Sequence, residues 1–236
     1  MQFLFKEKPI VITAVVSSDF NQVCESSPIK LASECKPSWW KNTPSSKFDW
    51  NLFGPVSTVK SCPGVGLSIQ RGFILPMWSD LALETEGDSW KLLYSDRKSR
   101  ADEHPSLQAP GFYEDHHIFK INSPWKIISP VDLFVCFPFY LYDKAPVYST
   151  PSGFIPPILN TCAINPFLMF KKDIQKQQYL IKCGSPLLHI LPFTDKKINF
   201  KCEIVSNEEY QKIINRTGTS NHFTGRGLKN KLFSKD

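Results

Sequence analysis

The chain has 236 residues, of which 42% are hydrophobic and 21% charged, and its formal net charge is +6. Eighteen Phe and six Trp supply a substantial core, which excludes disorder over most of the chain. No run of about 18 uncharged apolar residues occurs, so we expect no transmembrane helix. The positive charge is modest for this length and does not by itself indicate a nucleic-acid-binding protein.

The N-terminus (MQFLFKEKPIVITAVVSSDF) lacks the order of a secretion signal, because apolar residues precede the first lysine and Glu7 follows it. A β-branched run at residues 9–16 predicts the first strand instead. The seven cysteines are an odd number without a C-x-x-C pair. They indicate reduced, mostly buried thiols and not a disulfide framework.

The first half of the chain predicts short elements separated by loops. A short strand is expected near 29–31, a helix at 37–43 with paired tryptophans, and a loop at 45–55 with aromatic anchors. A second helix at 64–70 precedes Gly72. Strands follow at 73–75, 81–84 and 90–94, and then a long polar loop at 95–111.

The stretch at residues 123–138 (SPWKIISPVDLFVCFP) is the centre of the predicted sheet. Two apolar runs, 125–128 and 131–137, flank Ser129-Pro130, so we expect two core strands joined by a turn. Asp132 is expected to be a turn residue, because an unpaired buried carboxylate is costly.

The β pattern continues to residue 205. Strands are predicted at 117–121, 154–159, 163–170, 179–183, 187–192 and 198–205. In the last strand, Ile198, Phe200, Cys202 and Ile204 share one face, and Asn199, Lys201 and Glu203 share the other. We expect one β-rich domain at 1–205, and then a helix at 206–215 and a basic extended tail.

Three histidines are weak candidates for metal ligands. His116 and His117 are adjacent, but neighbouring strand residues point to opposite faces, and no H-x-D or H-x-E motif is present. His189 lies between apolar residues and is expected at the edge of the core. The sequence also lacks G-x-S-x-G, a complete dinucleotide fingerprint and a phosphate-binding loop with its lysine. We therefore expect no catalytic residue, no metal and no cofactor.

Two regions are candidates for contacts with partners. The aromatic segment at 37–55 contains Trp39, Trp40 and Trp50, and tryptophan is a favoured interface anchor. An irregular segment packed on the sheet is an equally good interpretation of it. The basic tail supplies further candidates for a protein partner or for phosphates, Arg216, Arg226, Lys229 and Lys231.

Five segments resemble an uncharacterised family of proteins encoded by tailed phages, including T4-like phages, and by some bacteria. They are residues 37–41 (PSWWK), 58–63 (TVKSCP), 72–76 (GFILP), 123–127 (SPWKI) and 184–193 (GSPLLHILPF). The resemblance spans roughly residues 37–193. It implies a phage-related context, in the host cytoplasm and possibly the virion, but no established activity.

Residues 179–193 also resemble the last strands of the trimeric dUTPase and dCTP deaminase group, in which a lysine-glycine turn precedes an apolar strand. Those enzymes carry a water-activating Asp or Glu in an upstream hairpin. The corresponding region, 154–170 (FIPPILNTCAINPFLMF), contains no acidic residue. This likeness therefore suggests a compact β-barrel without nucleotide hydrolysis.

Together these patterns predict a mainly β protein, a distorted barrel or sandwich of β-clip or jelly-roll type, with short helices and a basic tail. The favoured function is that of a phage-type structural or accessory protein, in a virion or an assembly complex. Its expected partners are protein subunits, including further copies of the chain, and not a membrane. The alternatives are a β-barrel enzyme, either like iron-dependent oxygenases or nucleotide-processing, and a nucleic-acid-binding accessory protein.

Overall fold

A computed structural model describes residues 8–96, 98–104, 111, 113–157 and 164–218, with the backbone alone at 23, 24 and 215–218. The fold is mainly β, as predicted. The strands are β1 Ile10–Ser17, β2 Lys30–Leu31, β3 Ser46–Asp49, β4 Gly54–Ser57, β5 Phe73–Pro76, β6 Leu81–Glu86, β7 Ser89–Tyr94, β8 Ala101–Glu103, β9 His116–Ile121, β10 Lys126–Ile128, β11 Leu133–Cys136, β12 Gly153–Ile155, β13 Phe167–Lys171, β14 Gln177–Ile181, β15 Pro186–Pro192 and β16 Ile198–Val205. The α-helices are α1 Asn21–Ser26, α2 Ser38–Asn42, α3 Pro63–Gln70 and α4 Asn207–Gly218.

The described strands form several open sheets. The β1 sheet has the order β10-β1-β16, and the β15 sheet has the order β12-β11-β15-β5-β2. The β9 sheet is β13-β9-β8, the β6 sheet is β14-β6-β7, and β3 pairs with β4 alone. Most neighbours are antiparallel, but β1 and β16 run parallel. No sheet closes on itself in the described part of the chain, so the fold is sandwich-like.

Two hydrophobic clusters hold the sheets together in pairs. The first lies between the β1 sheet and the β15 sheet, where Phe73 stacks on Phe200 with ring centroids 4.0 Å apart. The second lies between the β9 sheet and the β6 sheet and is built around Trp78, Phe119 and Phe170. The alternation of buried and exposed residues along β6 follows from this arrangement, since one face packs and the other is solvated.

A third, smaller cluster covers the outer face of the β15 sheet. Trp40 from α2 and Ile69 from α3 pack there with Ala32, Ile74 and Leu141. Beyond the end of α3, Gly72 has a φ of 77°, and a Cβ added there would lie 2.2 Å from the carbonyl oxygen of Ile190. Only glycine fits this turn, which holds α3 close to β15.

The stretch at 123–138 forms β10 and β11 as predicted, but the two strands do not pair with each other. β10 pairs with β1, whereas β11 lies between β12 and β15 in the other sheet. The buried Ser129 side chain donates to the carbonyl of Val131 and accepts from its N–H, at 2.8 and 3.2 Å. Ser129-Pro130 is therefore a corner at which the chain changes sheets, and Asp132 is exposed beside it.

Two segments predicted as loops contain strands. The segment at 45–55 holds most of the β3–β4 hairpin, and the segment at 95–111 contains β8, paired with β9. Those predictions were wrong because β8 has only three residues and because β3 and β4 carry polar residues among the apolar ones. Helix α4 begins as predicted and extends to Gly218, three residues beyond the predicted end.

Candidate protein-docking site

The β3–β4 hairpin, which contains most of the predicted aromatic segment at 45–55, exposes a group of large apolar side chains. Four of its large apolar side chains are exposed at and beside the turn, with Trp50 at 77% and Phe53 at 83%, next to Phe48 and Leu52. Val56 is exposed on the opposite face, because it pairs with Lys47 whereas Phe48 pairs with Pro55. The Phe48 and Trp50 rings meet edge to face, with centroids 4.8 Å apart. Apolar side chains grouped in this way on a surface mark interaction sites more often than scattered ones do.

The tip of the hairpin is an ordered turn. The Asp49 carboxylate accepts hydrogen bonds from the backbone N–H groups of Asn51 and Leu52, at 2.8 and 3.3 Å. Phe53 then takes a φ of 48°, which is uncommon for a residue with a side chain. These hydrogen bonds order the backbone of the turn that carries Trp50, Leu52 and Phe53.

The base of the hairpin is fastened to the segment that follows it. The Thr58 hydroxyl donates to the carbonyl of Pro44 at 2.5 Å, and the Thr58 N–H donates to the carbonyl of Ser45 at 3.0 Å. The Ser61 hydroxyl also donates to Ser45, at 2.7 Å. Since an isolated two-stranded hairpin is marginally stable, these bonds supply the support that a third strand would otherwise give.

The tryptophans of α2 have a different environment. Trp40 is 6% exposed and belongs to the cluster on the β15 sheet, whereas Trp39 is half-buried against it, with ring centroids 5.7 Å apart. We therefore assign Trp40 to the core, which corrects its prediction as a partner contact. Of the three predicted tryptophans, Trp50 is the one that the structure places fully on the surface.

The start of α2 is fixed by a distant carboxylate. Asp143 accepts from the Ser38 hydroxyl at 2.8 Å and from the Trp39 N–H at 3.1 Å. These hydrogen bonds lower the pKa of Asp143 below its ordinary value. Lys60 lies over the Trp40 ring, 5.9 Å from its centroid, and donates to the carbonyl of Lys41 at 3.5 Å. These contacts thus join α2 to the segment at the base of the hairpin. We call the supporting residues, Trp40, Thr58, Lys60 and Ser61, the mount of the hairpin.

The hairpin and the residues that flank it in the chain carry more lysines than acidic residues. Lys41 and Lys47 are exposed and Lys60 is half-buried, whereas Asp49 is the single acidic residue between positions 41 and 60. The Asp49 carboxylate is occupied by the turn. With three lysines and one aspartate, positions 41–60 therefore carry a net positive charge.

The three candidate histidines have separate partners. The His116 ring bonds to Asp115 at 2.7 Å, and the His189 Nε2–H donates to the carbonyl of Arg71 at 2.7 Å. Burial lowers the pKa of His189. None of the described residues form a group of three or more His, Cys, Asp or Glu side chains that could hold a metal ion.

His117 is buried between the β9 and β6 sheets. Its Nε2 lies 2.9 Å from the carbonyl of Gly87, and its Nδ1 lies 3.9 Å from the Glu103 carboxylate. The first contact ties β9 to the turn between β6 and β7. His117 thus connects two sheets through its Nε2, whereas its buried Nδ1 has no hydrogen-bond partner among the described residues.

The predicted basic contacts fall at the end of the described chain. Arg216 lies in α4 at a position where the structure describes the backbone alone. Arg226, Lys229 and Lys231 lie outside the described residues. Their prediction as partner contacts stays a prediction.

The sequence indicated the aromatic residues at 45–55, but it did not predict that they lie on a β-hairpin. The available signal was the turn-forming Asp49 followed by Gly54, with Phe48 and Val56 in short flanking runs.

Comparison with models of protein families, with curated proteins and with solved structures finds no match to this chain. In the described part of the chain, no helix has the length and apolar character to cross a membrane.

Proposed function

We propose that this chain is a phage-type structural or accessory protein that docks onto a partner protein through the β3–β4 hairpin. The observation that carries the proposal is the exposed apolar surface of a hairpin whose turn and base are both held by hydrogen bonds. A monomer gains nothing from exposing Trp50 and Phe53 together. Covering them with a partner removes a large apolar area from water.

The energetics favour docking as a preformed element. Burying one large apolar side chain contributes about 1.5–3 kcal/mol, and tryptophan is among the commonest residues at energetic centres of interfaces. The cost of ordering a loop on binding is reduced here, because Asp49 and Thr58 already hold the hairpin. The hairpin therefore suits a specific contact.

The charges around the hairpin define the partner. Lys47 lies on the hairpin and Lys41 precedes it in the chain, both are exposed, and opposite charges across an interface favour association and fix its orientation. We infer that the partner presents an apolar groove with acidic residues on its rim. Such a contact is expected to weaken as salt screens the rim charges.

The phage context rests on the resemblance of the five sequence segments. Two of them, 37–41 and 58–63, flank the hairpin along the chain. They include residues of its mount, namely Trp40, Thr58 and Ser61. This agreement supports an assembly role in which the mount presents the hairpin.

The test is the size of the complex that contains the protein in extracts of the cells that naturally produce it. The wild-type chain should elute with a larger assembly on size-exclusion chromatography. The double variant Trp50→Ser/Phe53→Ser should elute at the size of the purified protein. Ile174→Ser is the matched control, because Ile174 is 90% exposed but lies on the turn between β13 and β14.

Two results would overturn the proposal. One is that the double variant remains in the larger assembly as the wild type does. The other is that purified wild-type protein floats with vesicles of phosphatidylglycerol and phosphatidylcholine but the double variant does not. Aromatic and lysine side chains also suit a membrane interface, so this second result would assign the hairpin to lipid.

A further inference from the structure

Strand β16 is a long edge with one neighbour. It spans Ile198–Val205 and pairs along its whole length with β1, but no described strand lies on its other side. Its residues are mostly exposed. Long open edges of this kind pair readily with another strand.

The orientation of the backbone groups on β16 follows from its pairing. The N–H of Ile10 donates to the carbonyl of Lys197 at 2.8 Å, and Ile10 is opposite Ile198 in the parallel register. In a parallel pair, alternate residues direct their N–H and C=O toward the neighbour. Lys197, Asn199, Lys201 and Glu203 therefore face β1, whereas Ile198, Phe200, Cys202 and Ile204 direct their backbone groups to the open edge.

The segment after β16 leads away from that edge. The Asn207 side chain accepts from the Ser17 hydroxyl at 2.5 Å, at the end of β1. The Tyr210 hydroxyl then donates to the carbonyl of Pro124 at 2.8 Å, just before β10. Since β10 lies on the opposite side of β1, the described part of α4 leaves the open edge of β16 uncovered.

We propose that β16 pairs antiparallel with β16 of a second copy, about a two-fold axis at Cys202. Phe200, Cys202 and Ile204 then exchange backbone hydrogen bonds with Ile204, Cys202 and Phe200 of the second copy. The β1 sheets of the two copies become one continuous sheet. This is an isologous contact that uses the same residues on both sides.

The position of the two-fold axis follows from which side chains of β16 it places opposite each other, by face and by charge. An axis between two residues would set a side chain of the packed face opposite one of the solvent face, so the axis must pass through a residue. For an eight-residue strand, axes at Lys201 or Cys202 give the greatest overlap. The Lys201 axis places this lysine opposite its own copy, and like charges directly opposite are destabilising.

The Cys202 axis instead places Lys201 opposite Glu203 of the second copy, and does so twice. It also sets Phe200 opposite Ile204 on the packed face, where Phe200 already stacks on Phe73. The alternating charges of this strand are thus complementary to themselves in one register. That self-complementarity identifies a second copy as the occupant of the edge.

Sedimentation of the purified full chain tests the proposal. A backbone pairing of this length is small for an interface, so we expect a monomer–dimer equilibrium with a dissociation constant of about 1–100 μM. Lys201→Glu and Glu203→Lys should each weaken the dimer about tenfold, because each creates two like-charge pairs. The combined variant Lys201→Glu/Glu203→Lys should restore it.

The control is Lys91→Glu, a charge reversal on the edge strand β7 of another sheet, which should leave the dimer unchanged. A second variant, Cys202→Pro, removes an outward N–H that β1 does not use, and proline is tolerated at such edge positions. It should abolish the dimer but keep the β-rich circular dichroism spectrum. A wild-type chain that stays monomeric up to about 300 μM, or a double variant without rescue, would overturn the proposal. The pairing uses no residue of the hairpin, so its failure would leave the docking function untouched.

Discussion

Two groups of aromatic residues lie a few residues apart in the chain, but one packs on a sheet and the other is exposed. Trp39 and Trp40 are on α2, which packs on the outer face of the β15 sheet, and Trp40 is buried there. Phe48, Trp50 and Phe53 are exposed on a hairpin that pairs with no other described strand. Composition is alike in the two groups, so the difference comes from what lies opposite each side chain.

The cover for Trp40 is supplied by residues far apart in sequence. Ala32, Ile74 and Leu141 meet it together with Ile69 of α3. Among the described residues, no such layer packs on the hairpin, and its order depends on local hydrogen bonds to Asp49, Pro44 and Ser45. An aromatic residue is therefore a core anchor or a docking surface according to whether the fold brings a second layer to it.

The largest effect on stability is expected for Trp40, the buried tryptophan of α2. Trp40→Ala should lower the free energy of unfolding by about 3–5 kcal/mol, because it leaves a cavity among well-packed neighbours. Chemical denaturation followed by circular dichroism measures this. A loss below about 1 kcal/mol would show that Trp40 is not an anchor of this layer.

A pH-dependent effect on stability is expected at the β15 sheet, where the His189 ring donates to the carbonyl of Arg71, the residue that follows α3. Burial lowers the pKa of His189, so the folded state binds a proton less readily than the unfolded state. The stabilisation is present above the ordinary pKa of 6.5 and is lost as the pH falls. Denaturation between about pH 7.5 and 5.5 should show a slope of stability against pH that is smaller in His189→Gln than in the wild type. An equal slope in the variant and the wild type would contradict this role.

A smaller, local effect is expected at the base of the hairpin. Thr58→Val removes the bond to Pro44 and should lower the stability of the hairpin by about 0.5–1.5 kcal/mol. Hydrogen exchange of residues 46–57 should become faster, whereas the exchange of α2 stays unchanged. Equal acceleration in both elements would mean that the hairpin and the helix open as one unit.

The smallest effect on stability is expected for Trp50, the exposed tryptophan of the hairpin. Trp50→Ser should change the free energy of unfolding by no more than about 0.5 kcal/mol, since Trp50 is 77% exposed. The same denaturation experiment used for Trp40→Ala measures it. A loss comparable to that of Trp40→Ala would show that Trp50 is part of the core.

The sequence predicted the elements of this fold better than it predicted their connections. The apolar runs that became β1, β11 and β15 were visible because buried strands are nearly continuous in Val, Ile, Leu and Phe. The runs on either side of Ser129 were equally visible. Their placement in different sheets depends on contacts with β1 and β15, which lie far away in the chain.

The candidate site was predictable in part. Tryptophans at 37–55 pointed to an interface or a packed segment, and the structure divides the segment between both. The division depends on Leu141 and Asp143, which approach α2 from about a hundred residues away. The alternating charges at Lys201 and Glu203 were readable as well, but the open edge of β16 became visible only with the sheet order.

The docking role of the hairpin is tested most directly by photo-crosslinking from position 50. The full chain, with a benzophenone amino acid replacing Trp50, is irradiated in the cells that naturally produce it, and position 174 serves as the control site. We expect an adduct from position 50 with another polypeptide, mapped to an apolar groove with an acidic rim, and none from position 174. Adducts confined to this chain's own residues, or equal adducts from both positions, would contradict it.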